Sequence, residues 1–169
     1  MKKILIVSAT LKSNFSLSKK LEDICIQSGA EVKTISLENF ILPLYTDEIY
    51  NKEKDNYFGT VKELTNYFIN ANGLIICGPE YNGSTAPIVT NAIAWISVST
   101  EHWRDAFNNK VSLIGTSSGG PGAKFSSSMK MQLEHLGSVV MPRTININKS
   151  NPLNKDSAKK ILNQFINLL

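Results

Sequence analysis

Three short runs of consecutive apolar residues, Ile4–Val7, Leu74–Cys77 and the KVSLIG segment at 110–115, punctuate a chain whose other apolar residues are spaced differently. A strand that is apolar at every position has both faces covered, as in parallel sheets sandwiched between helices. Between the runs, Leu17, Leu21, Ile24 and Cys25 fall on one helical face, as do Val61, Leu64, Phe68 and Ile69. Phe125, Met129, Leu133 and Leu136 repeat the spacing, and Ile161, Leu162, Phe165 and Leu169 close the chain with the same stripe. PIVTNAIAWIS at 87–97 reads as a further helix, EVKTIS at 31–36 as an alternating strand, and SVVMPRTINI at 138–147 as the holder of a fifth strand. Gly29 and Gly137 stand where helices end in glycine.

Five strand-then-helix units in 169 residues predict one domain, residues 1–169, of α/β class. Right-handed crossovers then give a three-layer sandwich around a five-stranded parallel sheet. The count fits the flavodoxin-like order 2-1-3-4-5 better than a six-stranded dinucleotide fold.

The remaining composition narrows the function more than it names one. A net charge of +4 permits attraction to anions, but the lysines are scattered and the only arginines are Arg104 and Arg143. No run interleaves basic and aromatic residues, so no nucleic-acid partner is expected. Cys25 and Cys77 sit inside apolar segments outside any metal or redox spacing, which predicts buried free thiols, no metal site and a cytoplasmic location. The apolar run after the two N-terminal lysines is too short for a signal segment, and nothing longer follows, so no membrane association is expected. His102 and His135 are the only histidines and read as surface or packing residues; no triad accompanies them.

In an open α/β sheet of this order, ligands bind beyond the carboxyl ends of the strands near the switch between the first and third. The loops leaving those strands carry the unusual residues. The first, SATLKSNFS at 8–16, brings Ser8, Thr10, Lys12, Ser13, Asn14 and Ser16 to a helix N-terminus, which suits a phosphomonoester held by hydroxyls and a positive charge. It has neither GxGxxG nor Walker A glycines, and Ser13 or Asn14 serving only as an N-cap is the alternative. The second, PEYNGS at 79–84, contains a proline exit, an Asn82-Gly83 turn that admits positive φ, and Tyr81 as an aromatic wall; its rigid backbone edge can hydrogen-bond a flat heterocycle. The third, TSSGGPGAKFSSS at 116–128, sets Ser117 and Ser118 beside Gly119, Gly120 and Gly122, where backbone can approach a ligand closely.

With these motifs, the chain resembles the NADPH-dependent FMN reductase family of flavodoxin-like proteins, which includes quinone, chromate and azo-dye reductases. The resemblance covers nearly the whole chain, and its most specific element is PEYNGS followed by the PIVTNAIAWIS helix. It implies FMN as cofactor, with Pro79, Glu80, Tyr81, Asn82 and Gly83 along the flavin ring, and the first loop, Ser8, Thr10, Lys12, Ser13 and Asn14, with Ser16 in reserve, at the phosphate. Lys12 stands where the family has an arginine, and Ala9 where it has a glycine. Ser117, Ser118, Gly119 and Gly120 match the segment that closes over the cofactor, and LPLYTDE at 42–48 is similar to one bordering the substrate pocket. The implied activity is hydride transfer from NADPH or NADH through FMN to a small acceptor: free flavin, a quinone, an azo compound or a metal oxyanion. Reaction at the flavin calls for no catalytic acid or base from the protein. An electron-carrier flavodoxin or a flavin-free binding protein of the same fold is the alternative. Relatives are usually homodimers or homotetramers; Trp95, Trp103 and Tyr81 are candidates for such an interface, and Glu80 for an ion pair across it.

Overall fold

A computed structural model describes all residues from Met1 to Leu169. The chain alternates β1 (Lys3–Ser8), α1 (Ser13–Gln27), β2 (Glu31–Ser36), α2 (Asp47–Asn70), β3 (Gly73–Cys77), α3 (Pro87–Val98), β4 (Val111–Ser117), α4 (Ala123–His135), β5 (Val139–Val140), β6 (Ile145–Ile147) and α5 (Lys155–Leu168). All pairings are parallel and the order is β2-β1-β3-β4-β5, with β6 also on β4.

The continuous apolar strands serve two cores. Leu5 and Val7 of β1 and Leu74 and Ile76 of β3 point into the layer built by α2, α3 and α4, around Leu64, Phe68, Ile93, Ile96, Phe125 and Met129. Their neighbours Ile4, Ile6, Ile75 and Cys77 point the other way, onto Leu17 and Leu21 of α1 and Ile161, Leu162 and Phe165 of α5. The period of two in a strand sorts alternate side chains to opposite faces, so each run needs apolar residues throughout. Gly29 and Gly137 take φ of 84° and 88° two residues past the ends of their helices, each just after the C-cap.

The expected fifth strand over 138–147 is divided. Ser112 of β4 pairs with Val140 and Gly115 with Ile145, so three steps along β4 correspond to five on its neighbour. Pro142 lies in the excursion and has no N–H to give the ladder. Pairing lapses there and resumes at Ile145 in a new register.

Two further expectations change. Ile69 does not join Val61, Leu64 and Phe68 on the buried face of α2 but is 44% exposed. Trp95 is 1% exposed inside its own chain and is therefore not available to a partner. Its indole N–H donates to the Pro43 carbonyl (2.9 Å), and the rings of Tyr45, Tyr50 and Tyr57 lie 5.7, 5.8 and 6.1 Å from it. The LPLYTDE segment thus anchors the start of α2 on α3, with Thr46 accepting the Ile49 N–H as N-cap. No helix is long and apolar enough to cross a membrane.

Candidate functional site

The loops after β1, β3 and β4 leave the same edge of the sheet and are tied to one another. In the first, the Ala9 N–H donates to the Cys77 carbonyl (2.8 Å), the buried Ser8 hydroxyl donates to the Thr10 carbonyl (2.7 Å), and the Leu11 N–H donates to the Glu38 carboxylate. Helix α1 then starts with Lys12, not Ser13 or Asn14, at the N-cap, with no side-chain cap and no acidic residue in its first turn. The N–H groups of Ser13, Asn14 and Phe15 therefore have no partner in the chain. Asn14, 1% exposed, instead reaches the end of β4: it accepts the Ser117 N–H (2.8 Å) and donates to the Ser117 carbonyl (3.0 Å).

The second loop turns at Asn82 (φ 49°) and Gly83 (φ 75°), closed by reciprocal backbone bonds between Tyr81 and Ser84 (3.1 and 3.0 Å). Positive φ at both central positions is the type I′ hairpin turn that Asn-Gly favours. Glu80 fastens this loop to the third. Its N–H donates to the Ser118 hydroxyl (2.8 Å), which also shares a hydrogen bond with Thr116 (2.8 Å). Its carboxylate accepts the N–H groups of Lys124 (3.0 Å) and Phe125 (3.4 Å). Helix α4 begins at a left-handed Gly122 that has no side chain to cap it, so Glu80 supplies the cap from another loop. The Glu80 carboxylate thus has partners within its own chain.

The third loop is braced from behind by β6 and the residue that follows it. The Ser118 N–H donates to the Ile147 carbonyl (3.2 Å), the Asn148 amide to the Gly120 carbonyl (3.1 Å), and the Asn146 amide to the Pro121 carbonyl (3.3 Å). Gly122 is the glycine this loop requires: φ is 68°, and a Cβ there would meet Thr116 Cγ2 at 2.5 Å.

Together the loops enclose an open pocket of about 390 Å³. Ten of the expected residues line it: Thr10, Lys12, Ser13 and Asn14 from the first loop, Pro79, Glu80 and Tyr81 from the second, and Ser117, Ser118 and Gly119 from the third. Ser8, Ser16, Asn82, Gly83 and Gly120 do not. Ser8 is buried as a loop brace, Ser16 is exposed one turn along α1, Asn82 and Gly83 form the turn beyond the wall, and Gly120 is held by Asn148. Two lining residues were not anticipated, Asn148 and Lys149. The signal was available, because the rule that places ligands at the carboxyl edge applies to the loop after the last strand as well.

The chemistry of this pocket is that of an anion site. Its only acid is Glu80, whose carboxylate is turned to α4, whereas Lys12 and Lys149 take part in none of the three ion pairs, Lys19–Glu22, Lys52–Glu48 and Lys130–Glu134. With the open N–H groups of α1 and the hydroxyls of Thr10 and Ser13, the donor set fits a phosphomonoester, and the adjoining backbone wall at Pro79–Tyr81 fits a flat ring. Cys77 ends β3 behind the site, and burial pushes its thiol up to about 12. Cys25 is raised to about 12 too, first by burial and then by the nearby Cys77 and Glu22. Both thiols stay protonated at neutral pH. His135 is exposed on α4 and stacks on Trp103 at 5.5 Å, on a different element from the pocket.

No curated protein matches the chain in sequence. Among solved structures, the flavoenzyme NAD(P)H:(acceptor) oxidoreductase FerB from Paracoccus denitrificans is similar over 99% of this chain and 95% of its own, with 20% identity and a TM-score of 0.74. An oxidoreductase from Corynebacterium diphtheriae (13% identity, 99% and 96% covered, TM-score 0.73) and an azoreductase from Bacillus anthracis str. Sterne (15%, 99% and 96%, 0.63) share the fold. The sequence model for NADPH-dependent FMN reductases matches residues 2–152, a span that contains all three loops and the lysine-bearing turn after β6. The chain therefore belongs to the NADPH-dependent FMN reductase family.

Proposed function

We propose that this protein is an FMN-dependent NAD(P)H oxidoreductase that takes hydride from NADPH or NADH and delivers reducing equivalents to a small acceptor. The observation that carries the reading is the pocket at the carboxyl edge, with an uncapped helix N-terminus and two unpaired lysines at one side and a fixed backbone wall at the other. Thr10, Lys12 and Ser13 hold the phosphate, and the Pro79–Tyr81 backbone and Ser118–Gly119 hold the ring. Bound FMN supplies the capacity to accept a hydride from nicotinamide and to release electrons singly or as a pair. The protein's part is to position: the Asn14–Ser117 and Glu80–α4 links fix the loops before any ligand arrives, so little ordering is required on binding. No side chain in the pocket is needed as an acid or base.

Leu11 of the first loop also lines a second, mostly apolar cleft of about 320 Å³, together with Leu37, Phe40, Leu42 and Ile88. It suits a flat apolar acceptor of the quinone or azo class. Of the three aromatics expected at a homodimer or homotetramer contact, Tyr81 and Trp103, 49% and 46% exposed, are accessible. The two free cysteines suit the cytoplasm.

The test is the visible spectrum of the protein with one equivalent of FMN, followed by anaerobic NADPH or NADH. Perturbed flavin bands that bleach with a nicotinamide are the expected result. Bound flavin that neither nicotinamide reduces points to an electron carrier, and absence of flavin binding removes the reading.

A further inference from the structure

Lys149 belongs to a loop outside the three that conventionally define such a pocket, yet its place is tightly fixed. It occupies a corner of the turn 148–151, closed by the Asn148 N–H to the Asn151 carbonyl (3.0 Å) and the Asn151 N–H to the Asn148 carbonyl (3.2 Å). The Asn148 side-chain oxygen accepts the N–H groups of Ser150 (2.9 Å) and Asn151 (2.8 Å). Its amide donates to Gly120, and the Asn151 amide donates to the Asn146 carbonyl (3.1 Å), so the turn is latched to the pocket's third loop on one side and to β6 on the other. The backbone that carries Lys149 is held, and the side chain lines the same pocket as Lys12.

Two lysines line one pocket at the positive end of α1, with no carboxylate free to pair with either. The arrangement suits a dianion, and a phosphomonoester carries between one and two negative charges at neutral pH. A single lysine is a point charge without the fork of a guanidinium. A second lysine, carried by a different loop of the same pocket, adds charge and further donors. We infer that Lys149 is a second phosphate-binding cation in addition to Lys12 and that it sets the preference of this site for phosphorylated over unphosphorylated flavin. The inference rests on the FMN reading above.

Binding of FMN and of riboflavin, followed by flavin fluorescence, tests it in Lys149→Met, Lys149→Arg and the control Lys159→Met, which removes the same charge from an exposed position on α5. Lys149→Met is expected to weaken FMN about tenfold, the loss of one charged hydrogen bond, and to leave riboflavin unchanged within about twofold. Lys149→Arg is expected to keep most of the FMN affinity, and Lys159→Met all of it. Undiminished FMN binding by Lys149→Met overturns the inference while the FMN reading stands. Equal losses for both flavins, or as large a loss in Lys159→Met, also overturn it, by assigning the effect to the turn or to overall charge. A wild-type protein that binds neither flavin removes both the inference and the reading beneath it.

Discussion

Replacing Asn14 by alanine cuts the one side-chain link between the first and third loops. The side chain is 1% exposed and makes two hydrogen bonds to Ser117, at 2.8 and 3.0 Å. Each such bond contributes about 0.5–1.5 kcal/mol net, and the loss leaves the Ser117 N–H to find water in a confined corner. Alanine recovers about 0.5 kcal/mol through its higher helix propensity, so the expected net cost is about 1–2 kcal/mol. For a domain of this length the midpoint of thermal unfolding then falls by about 2–8 °C. Urea unfolding followed by circular dichroism measures the free energy, and flavin titration measures the consequence for the pocket. Because Asn14 acts by holding two loops together, FMN and riboflavin are expected to lose affinity by the same factor. Stability within about 0.5 kcal/mol of wild type, the scatter of ordinary surface changes, refutes the brace. A loss confined to FMN refutes it differently, by making Asn14 a phosphate contact.

Two other expectations concern groups near the same edge. Glu80→Gln keeps an oxygen for the Lys124 and Phe125 N–H groups but removes the charge at the start of α4, costing about 0.3–1 kcal/mol in urea unfolding; Glu80→Ala removes the cap and costs about 1–2 kcal/mol. A Glu80→Gln protein as stable as wild type would count against charge at that helix end, and equal stabilities of the two variants would count against the hydrogen-bonded cap. Burial raises the Cys25 and Cys77 thiols from 9.0 to about 12, so the unfolded chain releases protons between those values while the native state retains them. Stability is thus fully present below pH 9 and declines above it, by at most about 1.4 kcal/mol per pH unit for each thiol, until the native thiols ionise. Denaturation curves from pH 8 to 11 should show a shallower decline in Cys25→Ala/Cys77→Ala than in wild type, and parallel curves would disprove the assignment.

The architecture was legible because continuous apolar runs are scarce outside doubly covered strands. The bounds read for EVKTIS at 31–36 are those of β2, and Leu74–Cys77 falls within β3. The first half of α2 was less visible, since it packs through Tyr50 and Tyr57 onto a single buried tryptophan and leaves no long stripe. At the pocket, the residue types of the first three loops were sufficient to locate the wall, but their individual duties depend on distant chain. Whether Asn14 faces a ligand or Ser117, 103 residues away, is not encoded in its local spacing. The same holds for Glu80, whose partner helix begins 43 residues later. The helix start at Lys12 departs from capping preference because the polar side chains that follow it turn elsewhere, Asn14 above all.

The divided outer strand has a mechanical meaning. β5 and β6 grip the same neighbour in two separate registers; Met141 still donates to the Ser112 carbonyl (2.8 Å), and only residues 142–144 lie outside the ladder between them. Val139, 59% exposed on the open border of the sheet, belongs to the outer grip, while the asparagine-bearing turn hangs from the inner one. A change at the border strand is separated from Lys149 and the glycine segment by a break in the ladder. The rim of the sheet can thus drift in sequence and shape while the ligand-facing corner keeps its coordinates.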